Sequence, residues 1–366
     1  MVVKPRGFEP HLMQSRKTPR AHSIVVVRRP SKALVRVRFP VCAFKQVKSY
    51  YIMKFLFTGP TLLAGIGQVT NRYVQLVKSL GHEAVYLPYT EPVPKKKFDV
   101  GFAFVLPVPG MLDMIDRMLE KCKKKMYMTV CETETVHPSY EILVQRYKTL
   151  FTPSQFCLDV FHSQFPHGTW KLLRHWSPAP NSVVSDGQYT FYTIGNMIDP
   201  RKNIKMLLEA WVRLSLPNAR LILKATCKEP VNWKFPGVVV INGLLSDEDL
   251  ERVHASSHCY INCSHSEGVG MGAVEAALRN KPVIITDFGG LKEYVQTPFV
   301  VPCQRTLIDR DDFLYQKGMV WGQPSITHLM DHMKTCYEQN ITSWDHSHTH
   351  HLMTCVGEEM VKSSQS

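Results

Sequence analysis

Short apolar runs alternate with amphipathic stretches along the chain from Met53 onward. Residues 53–58 are apolar, as a buried strand would be, and residues 83–88 form a second such run. Between them, apolar side chains recur at helical spacing until Gly81, and glycine commonly ends a helix. These side chains are Val69, Tyr73, Leu76, Val77 and Leu80. The pattern predicts a strand, a helix and a parallel strand, the opening unit of a doubly wound α/β domain.

A second series of strands and helices begins at residue 189. Its predicted strands cover residues 189–195, 221–224, 238–241, 259–263 and 282–286. Its predicted helices include one marked by Ile204, Leu207, Leu208 and Trp211, and one at residues 272–279. Two such series predict an α/β protein with two Rossmann-like domains that face each other across a cleft. In such folds the ligand binds at the carboxyl ends of the strands, so the cleft is the expected site.

Composition sets the predicted domain boundaries. Residues 177–188 are rich in Ser, Pro and Gly, which is typical of a linker. We expect a first domain at residues 53–178, a linker at 179–188, a second domain at 189–340, and a C-terminal helix and tail at 341–366. The tail carries four histidines, which we expect on a solvated helix surface rather than on a metal. They are His346, His348, His350 and His351.

Most of the formal charge of +13 lies in the first 52 residues. They hold twelve basic residues and one acidic residue, which leaves 32 basic and 30 acidic residues in the rest. Residues 7–10 (GFEP) and 37–40 (VRFP) are also what the T-arm of a transfer RNA gene would encode in two reading frames. We therefore expect residues 1–52 to be a non-native or disordered extension. The alternative is a basic arm that binds nucleic acid or an acidic surface; otherwise no specific nucleic-acid partner is expected.

The chain also has no pattern typical of a secretory signal or of a membrane span. We therefore expect a cytoplasmic protein. Residues 53–180 carry 15 basic and 10 acidic residues, so the first domain could contact an anionic membrane peripherally or bind an acidic glycan. A solvated lysine face is the simpler interpretation.

Glycines and cations follow two of the predicted strands. GIGQVT, residues 65–70, is expected in the loop before the first helix, where its glycines would let backbone N–H groups approach an anion. IGNMIDPRKN, residues 194–203, places Arg201 and Lys202 at the start of a helix. Because cations are slightly unfavourable there, their presence indicates a bound anion that offsets the cost.

The segment SEGVGMGAVE, residues 266–275, is the most informative. Its glycine loop would leave N–H groups at the next helix start free for phosphate or hydroxyl oxygens. Glu267 and Glu275 flank this loop. Because a diphosphate repels carboxylates, hydroxyl groups of a sugar and a ribose explain the two glutamates better. Glu275 could instead simply complement the helix dipole.

Residues 192–295 closely resemble the nucleotide-sugar domain of the retaining glycosyltransferases with the GT-B fold (glycosyl transferases group 1, family four). The resemblance rests on IGNMIDPRKNIKMLLEAW, on the long segment from INGLLSDEDL to GGLKEYV, and on the two glutamates separated by seven residues. It extends more weakly to the first domain, through MKFLFTGP, TVCETETVHPSY and LFTPSQFCLDVF. Similarity of this extent implies the GT-B fold and a hexosyl- or related glycosyltransferase.

The resemblance implies a role for each matching residue. Glu267 would contact the hydroxyls of the donor sugar, and Glu275 those of the ribose. Arg201 and Lys202 would neutralise the departing diphosphate, which lowers the barrier to cleavage of the sugar–phosphate bond. The backbone amides of Val269, Gly270, Met271 and Gly272 would contact the sugar and the diphosphate, and Gly67 would lie beside the phosphates from the opposite domain. Such enzymes require no metal or other cofactor, because the nucleoside-diphosphate sugar is the donor substrate.

One position departs from the family pattern. The family commonly has Arg after the glycine of the first strand of its second domain, and this chain has Asn196. A neutral contact to the phosphate would replace a charged one. In the first domain, His137, Glu132 and Glu134 are the candidates for the residue near the acceptor.

The sequence thus predicts a retaining transfer of a sugar from a UDP- or GDP-sugar to a hydroxyl of a glycan or lipid acceptor. The alternatives are a nucleotide-sugar epimerase of the same architecture and a catalytically weak protein that binds a nucleotide sugar or a glycan.

Overall fold

The computed structural model describes residues 51–62, 65–180 and 187–365. The predicted N-terminal extension therefore lies outside the described residues except for Tyr51 and Ile52. Residues 181–186 of the predicted linker also lie outside the described residues.

The first half of the described chain is built on a six-stranded parallel sheet with the strand order β2-β1-β3-β4-β5-β6. Its strands are β1 (Lys54–Gly59), β2 (Glu83–Pro88), β3 (Phe98–Phe104), β4 (Cys122–Met128), β5 (Leu150–Thr152) and β6 (Trp170–Leu172). Its helices are α1 (Gly65–Ser79), α2 (Pro109–Met118), α3 (Glu141–Arg146) and α4 (Gln155–Gln164). The central strands are buried on both faces, which explains their continuous apolar runs.

The second half is built on another six-stranded parallel sheet with the order β12-β11-β10-β7-β8-β9. Its strands are β7 (Tyr189–Gly195), β8 (Ala219–Ala225), β9 (Val238–Ile241), β10 (Cys259–Asn262), β11 (Val283–Thr286) and β12 (Val300–Val301). Its helices are α5 (Ile204–Leu214), α6 (Asp247–Ala255), α7 (Met271–Ala277), α8 (Leu291–Tyr294) and α9 (Ile326–Glu338). The predicted fold class, two parallel α/β sheets with helices, is confirmed.

An antiparallel hairpin interrupts the second half between β12 and α9. It consists of β13 (Cys303–Leu307) and β14 (Val320–Pro324). Its tip reaches the segment that follows β4 in the first half, since the Glu134 N–H donates to the Val320 carbonyl at 3.1 Å. This hairpin was not predicted from the sequence.

The C-terminal helix α10 (Ser347–Gln365) packs back against the first half. Met353, Val356 and Met360 are buried in the same apolar cluster as Leu76 and Val77 of α1. Of the four histidines expected on the surface, His346 is buried, and its Nε2 lies 2.8 Å from the Lys281 carbonyl oxygen. The surface prediction is therefore wrong for His346, because this histidine anchors the start of α10 to the second half.

Among the described residues, no helix is long and apolar enough to cross a membrane.

Candidate active site

Arg201 and Lys202 lie on a 3₁₀ turn (Pro200–Lys202) that follows β7. Asp199 caps this turn, because its carboxylate accepts a hydrogen bond of 2.9 Å from the Arg201 N–H. Asn203 then adopts a left-handed conformation, with φ of 53°, and α5 begins at the next residue. The turn holds both cations at the carboxyl end of the central strand of the second sheet, where such folds bind ligands.

Glu267 lies between β10 and α7 and meets both cations. Its carboxylate accepts hydrogen bonds from Lys202 Nζ at 2.6 Å and from Arg201 at 3.0 Å. Ser264 Oγ donates to the same carboxylate at 2.7 Å. The structure therefore brings together three of the residues that the sequence singled out.

The electrostatics of Glu267 follow from these partners. Burial raises the pKa of this carboxyl, but the charges of Lys202 and Arg201 outweigh burial and lower the pKa to about 2. Glu267 is thus an anion at neutral pH. It can accept hydrogen bonds from the hydroxyls of a ligand, but it holds no proton to donate.

The guanidinium of Arg201 is enclosed by carboxylates. Glu132 of the first half lies 3.0 Å from its Nε, and Asp199 lies 3.2 Å from its NH2. With Glu267, three acidic side chains surround one cation whose side chain is 10% exposed. Burial lowers the pKa of Arg201, but the charges of Glu132 and Glu267 overcome burial and raise it well above its ordinary value. Arg201 therefore joins the two halves, and Lys202, 20% exposed, is the more accessible cation.

Tyr315 completes this buried group from the hairpin loop, because its hydroxyl donates to the Glu132 carboxylate. Sequence reasoning found Glu132 as a candidate but missed Tyr315 and Ser264. Tyr315 lies 183 positions from Glu132. No local pattern in the sequence indicates a contact over that separation.

The glycine loop between Glu267 and α7 offers backbone donors. Gly270 has a left-handed φ of 75°, which lets the loop turn sharply before α7 begins at Met271. No acceptor is recorded in the described part of the chain for the N–H groups of Val269, Gly270, Met271 and Gly272. Gly270, Met271 and Gly272 are partly exposed. Adjacent unpaired N–H groups of this kind can bind the oxygens of an anion.

Glu275, in the second turn of α7, contacts the first half directly. Its Oε1 lies 3.2 Å from NH2 of Arg72 on α1, and its Oε2 lies 3.9 Å from Nε2 of the buried His254. The side chains of Arg72 and Glu275 are 15% and 14% exposed. Nothing in the sequence pattern pointed to Arg72.

For three other predicted residues, no contact with Arg201, Lys202 or Glu267 is recorded in the part of the chain that the structure describes. Gly67 lies inside α1 rather than in a loop, so the loop prediction for GIGQVT is wrong. Glycine is needed there because a Cβ would lie 2.2 Å from the Thr61 carbonyl oxygen. Asn196 Oδ1 accepts a hydrogen bond of 3.3 Å from the Ile198 N–H within its own loop. His137 Nδ1 caps a 3₁₀ turn by accepting from the Ser139 N–H at 3.1 Å.

Residues 188–312 match the family model for glycosyl transferases group 1. This segment is similar to a glycosyl transferases group 1 domain. It contains Lys202, Glu267, the glycine loop and Glu275, so most of the candidate site lies within the matched region. No curated protein matches the chain significantly by sequence.

Solved structures agree with this assignment at the level of the fold. Sucrose-phosphate synthase from Thermosynechococcus elongatus is similar, with 12% identity, a TM-score of 0.59 and coverage of 86% of this chain and 98% of that one. The trehalose-6-phosphate synthase OtsA has 7% identity and a TM-score of 0.61, with coverage of 86% and 99%. An E. coli structure described as trehalose-6-phosphate bound with UDP-2-fluoro glucose has 8% identity and a TM-score of 0.60, with the same coverage. The chain has the GT-B fold of these glycosyltransferases.

Proposed function

We propose that this protein is a retaining glycosyltransferase that transfers a sugar from a nucleoside-diphosphate sugar to an acceptor hydroxyl. The observation that carries the proposal is the ion pair between Lys202 and Glu267 beside the unpaired N–H groups of residues 269–272. One small region thus holds a cation, a carboxylate and backbone donors. The cation and the N–H donors suit the diphosphate of a nucleotide sugar, and the carboxylate suits the hydroxyls of its sugar.

The proposed roles follow from the charge that develops during the reaction. Cleavage of the sugar–phosphate bond leaves negative charge on the leaving oxygen, and preorganised donors at that position lower the barrier. Lys202 and the N–H groups of the glycine loop supply such donors. Glu267 accepts hydrogen bonds from the sugar hydroxyls and fixes the orientation of the ring. The departing phosphate takes the proton of the acceptor hydroxyl on the same face, so the configuration at the sugar carbon is retained.

The donor is a UDP- or GDP-sugar, and the acceptor is a glycan or a lipid. UDP is supported by the structural neighbour that is described as bound with UDP-2-fluoro glucose. No metal or other cofactor has a role in the proposed reaction. The chemistry requires only that positive charge and N–H donors face the diphosphate, and residues of this chain supply both.

A panel of UDP- and GDP-sugars, with release of the nucleoside diphosphate as the readout, tests the proposal. We expect Lys202→Ala to lower kcat about 100-fold, since removal of one transition-state donor has effects of this size. Lys205→Ala is the matched control, because Lys205 is exposed three positions later on α5. Equal activity of wild type and Lys202→Ala would contradict the site assignment. Failure of every donor would contradict the function.

A second candidate function is a protein that binds a nucleotide sugar but transfers it slowly. The enclosure of Arg201 by three carboxylates favours it, because that guanidinium is not free to meet the diphosphate. Asn196 removes a second charge from the same region. Tight binding of a donor without release of the nucleoside diphosphate would identify this function.

Contact with an anionic membrane is proposed for the lysines of the first half. Lys95, Lys96 and Lys97 are exposed next to one another before β3. Co-sedimentation with vesicles that contain an anionic lipid tests the contact. Equal binding to neutral vesicles would favour a simple solvated surface.

A further inference from the structure

Arg72 is a charged residue to which the proposed reaction assigns no role. It lies on α1 of the first half, and its guanidinium pairs with Glu275 of the second half at 3.2 Å. Its other recorded hydrogen bond is a long one, 3.4 Å, to Gln75 on its own helix. The pair spans 203 positions of sequence and is largely buried. Arg72 therefore joins the first half to a residue for which the family resemblance implies a role in donor binding.

The second carboxylate oxygen of Glu275 has no hydrogen bond recorded among the described residues. Oε2 lies 3.9 Å from Nε2 of His254, beyond hydrogen-bond distance, and that nitrogen has no hydrogen-bond partner among the described residues. The opposite ring nitrogen of His254 lies 2.9 Å from the Tyr192 hydroxyl. Arg72 is thus the one strong partner recorded for this carboxylate within the described ranges. A ribose that binds Glu275 must compete with that guanidinium.

We propose that Arg72 exchanges Glu275 for the diphosphate of the donor when the nucleotide binds. The inference rests on the proposed function and on the role that the family resemblance implies for Glu275, which is contact with the ribose hydroxyls. In a nucleoside diphosphate the first phosphate is separated from those hydroxyls by a single ribose ring. A guanidinium in contact with Glu275 is therefore within side-chain reach of that phosphate.

The exchange also resolves an electrostatic conflict. A carboxylate close to a diphosphate is repelled, and Glu275 is such a carboxylate. Arg72 offsets this repulsion and gains a planar guanidinium–phosphate contact that can be bidentate. The same residue therefore favours the diphosphate form of the nucleotide over the bare nucleoside. Comparing the binding of a nucleoside with that of its diphosphate therefore separates the role of Arg72 from that of Glu275.

The experiment compares the binding of uridine and UDP, and of guanosine and GDP, by calorimetry. Arg72→Gln should weaken binding of the nucleoside diphosphate about tenfold or more, the usual effect of losing a charge-assisted hydrogen bond. The same variant should bind the nucleoside as well as wild type or better, because Glu275 is no longer engaged. Glu275→Gln should show the opposite pattern, with weaker binding of the nucleoside.

Two further variants serve as controls. Arg72→Lys retains the charge and should show an intermediate loss for the diphosphate, which also covers the case in which Arg72→Gln folds poorly. Arg213→Gln removes an exposed arginine at the end of α5 and should bind both ligands as wild type does.

The outcomes separate the inference from the proposed function. If Arg72→Gln weakens binding of the nucleoside and of the nucleoside diphosphate equally, or weakens neither, the exchange is overturned. The proposal that the protein binds the donor then still stands. If wild type binds none of the four ligands, the proposed function falls and the inference falls with it.

Discussion

Glu267 is the residue whose protonation matters most for stability near the site. The folded protein favours the carboxylate, since its pKa is lowered from 4.5 to about 2. Protonation therefore favours the unfolded chain. The contribution is fully present above about pH 4.5 and is lost as the pH falls towards 2.

We expect the free energy of unfolding of wild type to fall by about 3 kcal/mol over this pH range because of Glu267. Glu267→Gln should show a smaller fall and, at pH 7, a lower stability by about 3 kcal/mol, because Arg201 loses a buried counterion. Urea unfolding at several pH values measures both. Glu248→Gln, at an exposed glutamate, is the control. Parallel pH profiles for wild type and Glu267→Gln would contradict this assignment.

For Asn196 we predict a substitution that increases activity. Its side chain only closes its own loop, at 3.3 Å from the Ile198 N–H, so a longer side chain sacrifices little. We expect Asn196→Arg to raise kcat with the best donor several-fold, because it adds a charge near the departing diphosphate. Asn196→Gln, which is longer but neutral, should not. Equal rates for the two variants would show that charge at this position does not limit the reaction.

At the scale of elements, two side-chain contacts join the hairpin of β13 and β14 to the first half, in addition to the backbone hydrogen bond from Glu134 to Val320. Tyr315 donates to Glu132 in a partly buried position, whereas Arg305, 76% exposed, pairs with Glu134. Burial decides which contact contributes more to stability, since exposed ion pairs contribute about 0–1 kcal/mol. The contact of Tyr315 in the hairpin loop therefore contributes more to stability than the contact of Arg305 on β13.

We expect Tyr315→Phe to lower the free energy of unfolding by about 1–3 kcal/mol, because Glu132 loses a donor inside the protein. Arg305→Gln should lower it by less than about 1 kcal/mol. Urea unfolding of both variants under one buffer gives the comparison. A larger loss for Arg305→Gln would reverse the order of the two contacts.

The elements differ in how well the sequence predicts them. The buried parallel strands were predictable because their apolar runs reflect burial on both faces. β13 was not, because only Cys303 and Thr306 of its five residues are partly buried and the rest are exposed. The glycines at 65 and 67 predict a loop, but α1 already begins at Gly65, and Gly67 allows a close approach to Thr61.

The site was predictable where its residues follow strands. Arg201, Lys202 and Glu267 were all found by their position after β7 and β10, and the structure places them in contact. The remaining contacts, Glu132 with Arg201, Tyr315 with Glu132 and Arg72 with Glu275, join segments that are remote in sequence. Because those contacts depend on how the two sheets face each other, one sequence without its fold could not indicate them.

At the scale of the whole molecule, α10 connects the two halves. It starts against the second half at His346 and ends against the first, where the Ser363 carbonyl accepts from Lys124 at 2.7 Å. Arg174 adds a bridge, with Glu293 and Glu359 each 2.8 Å away. The two halves should therefore unfold together.

Met360→Ala tests this coupling, because Met360 is fully buried beside α1. We expect a loss of about 2–5 kcal/mol with a single unfolding transition, since a cavity in α10 weakens both halves. Far-UV circular dichroism and tryptophan fluorescence should report coincident transitions, because Trp170 and Trp211 lie in different halves. Lys362→Ala, at an exposed position on the same helix, should be nearly silent. Separate transitions for the two signals would show that the halves are independent.

The glycine loop has a consequence for the interpretation of loss-of-function alleles. At Gly268, a Cβ would lie 2.4 Å from Val130 Cγ2 and 2.9 Å from the Cys131 carbonyl oxygen, both in the first half. Even the methyl group of alanine would clash with the first half and push the two halves apart. An inactive Gly268 allele in a genetic screen would therefore report a cleft that cannot close, and it should not be counted as a mapped donor contact. Side-chain alleles at Lys202 are the informative class.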